Sequence, residues 1–137
     1  MGIRLTAKNS KHAFYMGYGG FFCLRKNIAM ALDKEFGKIY SDIVYCHSSE
    51  DFAENDAAAE KIIRDKNLDE DILDFLYAED CEGKISYKTC RKIYDLIKDV
   101  DFEKKGFRYA AYQNNDYEEL KEFLTECYSK RRNMVWS

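Results

Sequence analysis

FYMGYGGFFCLRKNIAMALDKEFG, residues Phe14 to Gly37, is the stretch on which the fold turns. Three glycines, Gly17, Gly19 and Gly20, interrupt an aromatic segment, and beyond them the apolar residues change their spacing. Phe21, Leu24, Arg25, Ile28, Ala29, Leu32 and Phe36 recur at three- and four-residue steps, which lines them along one side of a helix. The helix is expected to begin just after Gly20. Gly37 is placed to end it, because glycine accepts the left-handed conformation that closes many helices. Upstream, Phe14 and Tyr15 read as an extended piece, and Ile3, Leu5 and Ala7 alternate with polar neighbours as a strand does. Asn9-Ser10-Lys11 is a turn between them.

Downstream, Ile39, Tyr40, Ile43, Val44 and Tyr45 form an apolar stretch without an assignment. Ser48-Ser49-Glu50-Asp51 has the spacing of a helix start with an acid three residues on, so Phe52 to Lys66 reads as helix with Ile62 and Ile63 inward. Asn67-Leu68-Asp69-Glu70 repeats the signal ahead of Leu68, Ile72, Phe75 and Leu76. Asp80 to Lys84 reads as a turn, after which Ser86 can cap a helix carrying Cys90, Ile93, Tyr94, Ile97 and Val100 inward. Phe107, Tyr109 and Ala111 alternate as a strand. Asn115 to Glu118 opens a last helix with Tyr117, Leu120, Phe123, Leu124 and Cys127 on its apolar side and Lys130, Arg131 and Arg132 at its end. The fold class is therefore α+β: mainly helical, about five helices, with a small antiparallel β-sheet. Residues 1–137 make one globular domain, since no proline-rich or glycine-serine linker divides them.

Composition narrows the function. Of 137 residues, 22 are Lys or Arg and 25 Asp or Glu, for a net charge of −3, whereas a protein that grips phosphate backbones usually carries a positive excess. Nucleic acid is thus a minor candidate partner. No run approaches a membrane span, and Lys8, Asn9, Ser10 and Lys11 follow too soon for a signal peptide. The five cysteines, Cys23, Cys46, Cys81, Cys90 and Cys127, are odd in number and scattered, as reduced thiols in a cytoplasm are.

Two segments stand out. Gly17, Tyr18, Gly19 and Gly20 precede a helix whose opening amides could cradle an anion, with Arg25 about one turn inside. Their spacing fits neither phosphate loop nor dinucleotide fingerprint, and loop glycines commonly serve tight turns instead. Asp80, Cys81, Glu82, Gly83 and Lys84 invite comparison with a calcium loop, but Ala78 and Thr89 then stand where its two anchoring carboxylates belong. A turn with Gly83 at an unusual backbone angle is the simpler reading. His12 and His47 are the only histidines, and no grouping with Cys46 or the other thiols has metal-ligand spacing. No metal or cofactor is expected. Cys81, between two acids, is the thiol expected at the surface, and the run from Asp69 to Glu82 forms an acidic ridge.

Met16-Gly17-Tyr18-Gly19-Gly20-Phe21-Phe22 with Leu24-Arg25-Lys26-Asn27-Ile28-Ala29, and Asp80-Cys81-Glu82-Gly83-Lys84-Ile85-Ser86 with Cys90-Arg91-Lys92-Ile93-Tyr94, carry a resemblance. Through them the chain resembles a family of short proteins from Gram-positive bacteria, their phages and mobile elements, for which no activity is established. The resemblance implies a small host-targeting binder. The leading expectation is a cytoplasmic, non-enzymatic interaction protein, an inhibitor or modulator of a host protein, acting through the Gly17–Phe22 and Asp80–Lys84 segments. The alternatives are a small enzyme or ligand-binding domain with Arg25 on an anionic group, and nucleic-acid binding through Lys130, Arg131 and Arg132.

Overall fold

The computed structural model describes residues 2–7, 13–44, 49–79, 81–103 and 114–137. Strands β1 (Gly2–Ala7) and β2 (Ala13–Gly17) lead into helices α1 (Tyr18–Leu32), α2 (Lys34–Val44), α3 (Ser49–Lys66) and α4 (Glu70–Tyr77). Strand β3 (Gly83–Ile85), helices α5 (Tyr87–Ile97) and α6 (Asn114–Ser129), and strand β4 (Met134–Trp136) complete the order. The fold is α+β, with six helices and one four-stranded antiparallel sheet among the described residues. The expected strand at Phe107, Tyr109 and Ala111 lies outside them, as do His12, Cys46, His47 and Asp80.

The sheet order is β2-β1-β4-β3. Alternation decides its two faces. Ile3, Leu5 and Ala7 are buried, and the register sets Met16 opposite Ile3, Trp136 opposite Leu5, and Met134 opposite Ala7. Ile85 joins them from β3. Helices α1 and α6 pack on this side, closing one core that includes Phe21, Phe75 and Phe123. Arg4, Tyr15 and Lys84 fall on the opposite face, all exposed.

Helix starts follow their side chains. Asp69 Oδ1 accepts from the Asp71 and Ile72 amides at 2.9 and 3.2 Å, and Ser86 Oγ accepts from Thr89 N–H at 3.2 Å. Each satisfies amides that a helix start leaves without partners. Asn67, at φ 49°, closes α3 in the left-handed conformation, with Leu68 N–H donating to Ile63 O at 3.1 Å.

Four expectations are corrected, the first being the start signal at Asn67, which closes α3 while Asp69 caps α4. Helix α1 starts at Tyr18 and takes in Gly19 and Gly20 instead of following them. It ends at Leu32 because Asp33 is extended, and the Asp33 carboxylate caps α2 by accepting from Phe36 N–H at 2.9 Å. Gly37 therefore lies inside α2, which also absorbs the unassigned apolar run through Ile43. Gly83 begins strand β3, and its φ is outside the left-handed region. A Cβ there would come 2.0 Å from the Trp136 ring, so packing, not backbone angle, requires this glycine.

Asp33 also holds α3 in place: Lys66 Nζ stands 2.8 Å from its Oδ2 and 3.2 Å from Glu35 Oε2. Burial alone would raise the Asp33 carboxyl, but the Lys66 hydrogen bond, the Phe36 amide and the Lys66 charge outweigh it and hold it below its ordinary 3.8. A lowered folded-state value means that the stabilisation is present above the unfolded value and is lost as pH falls. Asp33→Asn, which keeps a capping oxygen, is expected to flatten the drop in Tm below about pH 4, as an acid titration of thermal unfolding would record.

Candidate functional site

The four strands run so that the end of β2, the start of β1, the end of β4 and the start of β3 share one end of the sheet. This brings the two distinctive segments to the same end, on opposite edges. Gly17 closes β2 and Gly83 opens β3, with β1 and β4 between them. Three inter-strand spacings separate them by about 14 Å across the sheet, and the register offsets them by three residues along it.

At the β2 edge, Gly17 caps α1 without a side-chain hydrogen bond. Tyr18 is 37% exposed and Gly19 is exposed, while Gly20 is partly covered and Phe21 is fully buried. A Cβ added at Gly17 or Gly19 would meet nothing within 4 Å, and neither residue has a positive φ. Neither packing nor backbone conformation demands these two glycines. On the outer face, Gly2 pairs with Gly17 and Arg4 with Tyr15, leaving a shallow depression of about 420 Å³ that Arg4, Tyr15 and Ser137 border. Tyr15 is 70% exposed. Tyr15 and Arg4 were not among the sequence candidates, although the alternation that turns Met16 inward turns Tyr15 outward.

At the β3 edge, Cys81, Glu82 and Lys84 are exposed. Gly83 packs under Trp136, whose indole Nε1 donates to Glu79 O at 3.0 Å. The Trp136 ring also lies 5.7 Å from both Phe21 and Phe75. Phe21 belongs to the first segment, so one buried indole ties both segments together.

Arg25 is a correction. Expected to hold an anion, it is 3% exposed and its guanidinium Nη1 donates to the carbonyls of Ala78 at 2.7 Å, Phe75 at 3.2 Å and Leu76 at 3.4 Å. Its guanidinium also covers the Phe21 ring at 4.3 Å. The cation sits at the C-terminal end of α4, where carbonyls lack helical partners and the helix dipole is negative. It positions the chain entering the acidic turn instead of facing a ligand.

The thiols separate by environment. Cys81 is exposed, whereas Cys90 and Cys127 are buried together between α5 and α6. The hydrogen bond with Cys127, burial and the Cys127 charge push the Cys90 thiol well above its ordinary value. Burial also raises Cys23, against the attraction of Lys26. Brief iodoacetamide treatment of the native protein is expected to label Cys81, with Cys90 and Cys127 reacting only after denaturant is added; peptide mass mapping reads this directly. Among the described residues, no three His, Cys, Asp or Glu side chains are grouped to hold a metal ion. Among the same residues, no helix is long and apolar enough to cross a membrane.

Fold and site together define a small α+β protein with helices on one side of an antiparallel sheet and an exposed aromatic edge on the other. No protein-family model, curated protein or solved structure matches the chain, so what this surface can do rests on its own geometry.

Proposed function

We propose that this chain is a non-enzymatic interaction protein, a modulator of a host protein of the kind carried by phages and mobile elements, which takes an extended segment of its partner along β2. The observation that carries this reading is the outer edge of the sheet that β2 forms among the described residues. Outer strands usually carry charges, bulges or very short lengths that discourage pairing with another chain. Strand β3 follows that rule, with three residues and Lys84 at its centre. Strand β2 does not: Ala13-Phe14-Tyr15-Met16-Gly17 holds no charge, and Tyr15 stands out from its middle. A partner strand added there gains backbone hydrogen bonds, and Tyr15, Tyr18 and Arg4 supply side-chain selectivity. The bare Gly17 and Gly19 let its backbone approach the start of α1 closely. Cys81, Glu82 and Lys84 offer a second contact at the same end.

The alternative of an anion held by Arg25 is not carried forward, because that guanidinium is committed to α4. The test is capture of a partner from the native host, followed by titration of the purified partner. Tyr15→Lys places a charge on the edge without touching the core, and Gly19→Ala adds one methyl group. Each is expected to weaken the complex at least about tenfold while thermal stability is kept. Gly19→Ala should even be slightly more stable, by about 0.4–1 kcal/mol. A partner bound equally well by both variants would overturn the reading.

A further inference from the structure

Away from the sheet end, a groove of about 590 Å³ lies between α5 and the end of α6. Its size falls in the usual range for small-ligand sites. Lys88, Arg91 and Lys92 reach it from one face of α5, Arg131 closes its far side, and Tyr87 and Tyr128 supply aromatic walls. Four cations against the single carboxylate of Asp95 make this a positive spot on a chain whose net charge is −3.

The cations are not equally engaged. Lys92 is held by Asp71 at 2.7 Å and Asp69 at 3.0 Å, and Arg91 lies 3.8 Å from Asp95 and over the Tyr128 ring at 5.4 Å. Lys88 and Arg131 have no ion pair among the described residues. Arg131 carries a second, independent signal. Its φ is 54°, in the left-handed region. The bonds from Arg132 N–H to Cys127 O at 2.8 Å and from Arg131 N–H to Tyr128 O at 3.4 Å show why: it occupies the helix-closing position where glycine is favoured. An arginine there strains the backbone, and strain of this kind collects where a side chain is needed for function.

We propose that this groove binds a nucleotide, with Lys88 and Arg131 on its phosphates and the Tyr87 ring against its base. Guanidinium and ammonium groups match phosphate oxygens, and aromatic rings stack on bases without regard to sequence. A small nucleotide fits better than a polymer. Asp69 and Asp71 lie beside Lys92, and Glu126 lies within 3.8 Å of Lys130 and Arg132, so a strand leaving the groove would run onto carboxylates on either side. This inference is independent of the β2 edge.

Calorimetric titration of the full chain with adenosine diphosphate tests it, with pyrophosphate, adenosine and a single-stranded oligonucleotide as comparisons. Saturable binding of the diphosphate is expected, with pyrophosphate and adenosine each at least about tenfold weaker. Lys88→Ala and Arg131→Gly should each lower that affinity about tenfold. Arg131→Gly should at the same time raise Tm, because glycine relieves the strained turn, and Tyr15→Lys should leave binding unchanged. The proposal is overturned by the absence of saturable binding through the millimolar range, or by binding that neither variant weakens. It is equally overturned if pyrophosphate binds as tightly as the diphosphate, which marks a bare anion site. Tighter binding of the oligonucleotide, with a steep salt dependence, would replace it with nucleic-acid binding.

Discussion

Replacing Arg25 by methionine is expected to destabilise the protein by about 2–4 kcal/mol, the range for orphaning buried polar groups together with a lost charge-assisted contact. Methionine fills much of the space of the arginine stem but donates nothing. The Leu76 carbonyl keeps the Tyr40 hydroxyl at 2.5 Å, and the Phe75 carbonyl keeps a long bond from Ala78 N–H at 3.4 Å. The Ala78 carbonyl loses its 2.7 Å partner, and the cation over Phe21 disappears. Arg25→Lys should fall between wild type and methionine, since an ammonium retains charge at the α4 terminus but lacks the flat guanidinium that covers the Phe21 ring. Urea unfolding of the three proteins decides this, and equal stabilities would show that the contact contributes nothing net. The consequence reaches the surface as well. α4 has only eight residues, and the acidic turn follows directly from its C-terminal end, so loosening that end is expected to disorder Cys81 and Glu82 before the rest of the fold. Faster hydrogen exchange at those amides in the methionine variant would report it.

Gly37→Ala is expected to lower stability by about 2–3 kcal/mol, the scale of overpacking a rigid interior, and Tm by about 5–15 °C. Helix propensity alone argues the reverse, because alanine in a helix interior is favoured over glycine by about 1 kcal/mol. The geometry decides between them. A Cβ at Gly37 would stand 2.4 Å from Met30 Cγ, 2.6 Å from Met30 Cα and 2.7 Å from Met30 N. A side-chain atom could move aside, but two of those three atoms are backbone of α1. The substitution therefore has to push α1 and α2 apart along a closely packed contact. A thermal scan that placed Gly37→Ala above wild type would mean that the two helices do not approach so closely.

These two residues also mark how far the sequence could be read. Period-two spacing at Ile3, Leu5 and Ala7 and three-to-four spacing on α5 and α6 state which side of each element faces inward, and the buried residues on those elements follow it. Ser86 was legible as a cap because its partner is its own near amide, whereas the start signal read at Asn67 falls two residues early: Asn67 closes α3 and Asp69 caps α4. Gly37 and Arg25 were not legible, since glycine ends helices and also lets helices touch, and arginine binds anions and also closes helix ends. The same ambiguity hid β4: Met134-Val135-Trp136 is three residues long, too short for a pattern, and is a strand only because β1 and β3 flank it.

The amino-acid order by itself thus determined an α+β chain, the apolar faces of its helices and the two segments worth attention, because each depends on interactions within a few residues. Only the tertiary structure decided where those segments lie and what surrounds them. It set them at one end of a sheet, buried Arg25 under α4, turned Tyr15 outward on the outermost described strand and gathered Lys88 and Arg131 from distant parts of the chain into one groove. Contacts between residues tens of positions apart depend on how elements pack, and no local spacing encodes that.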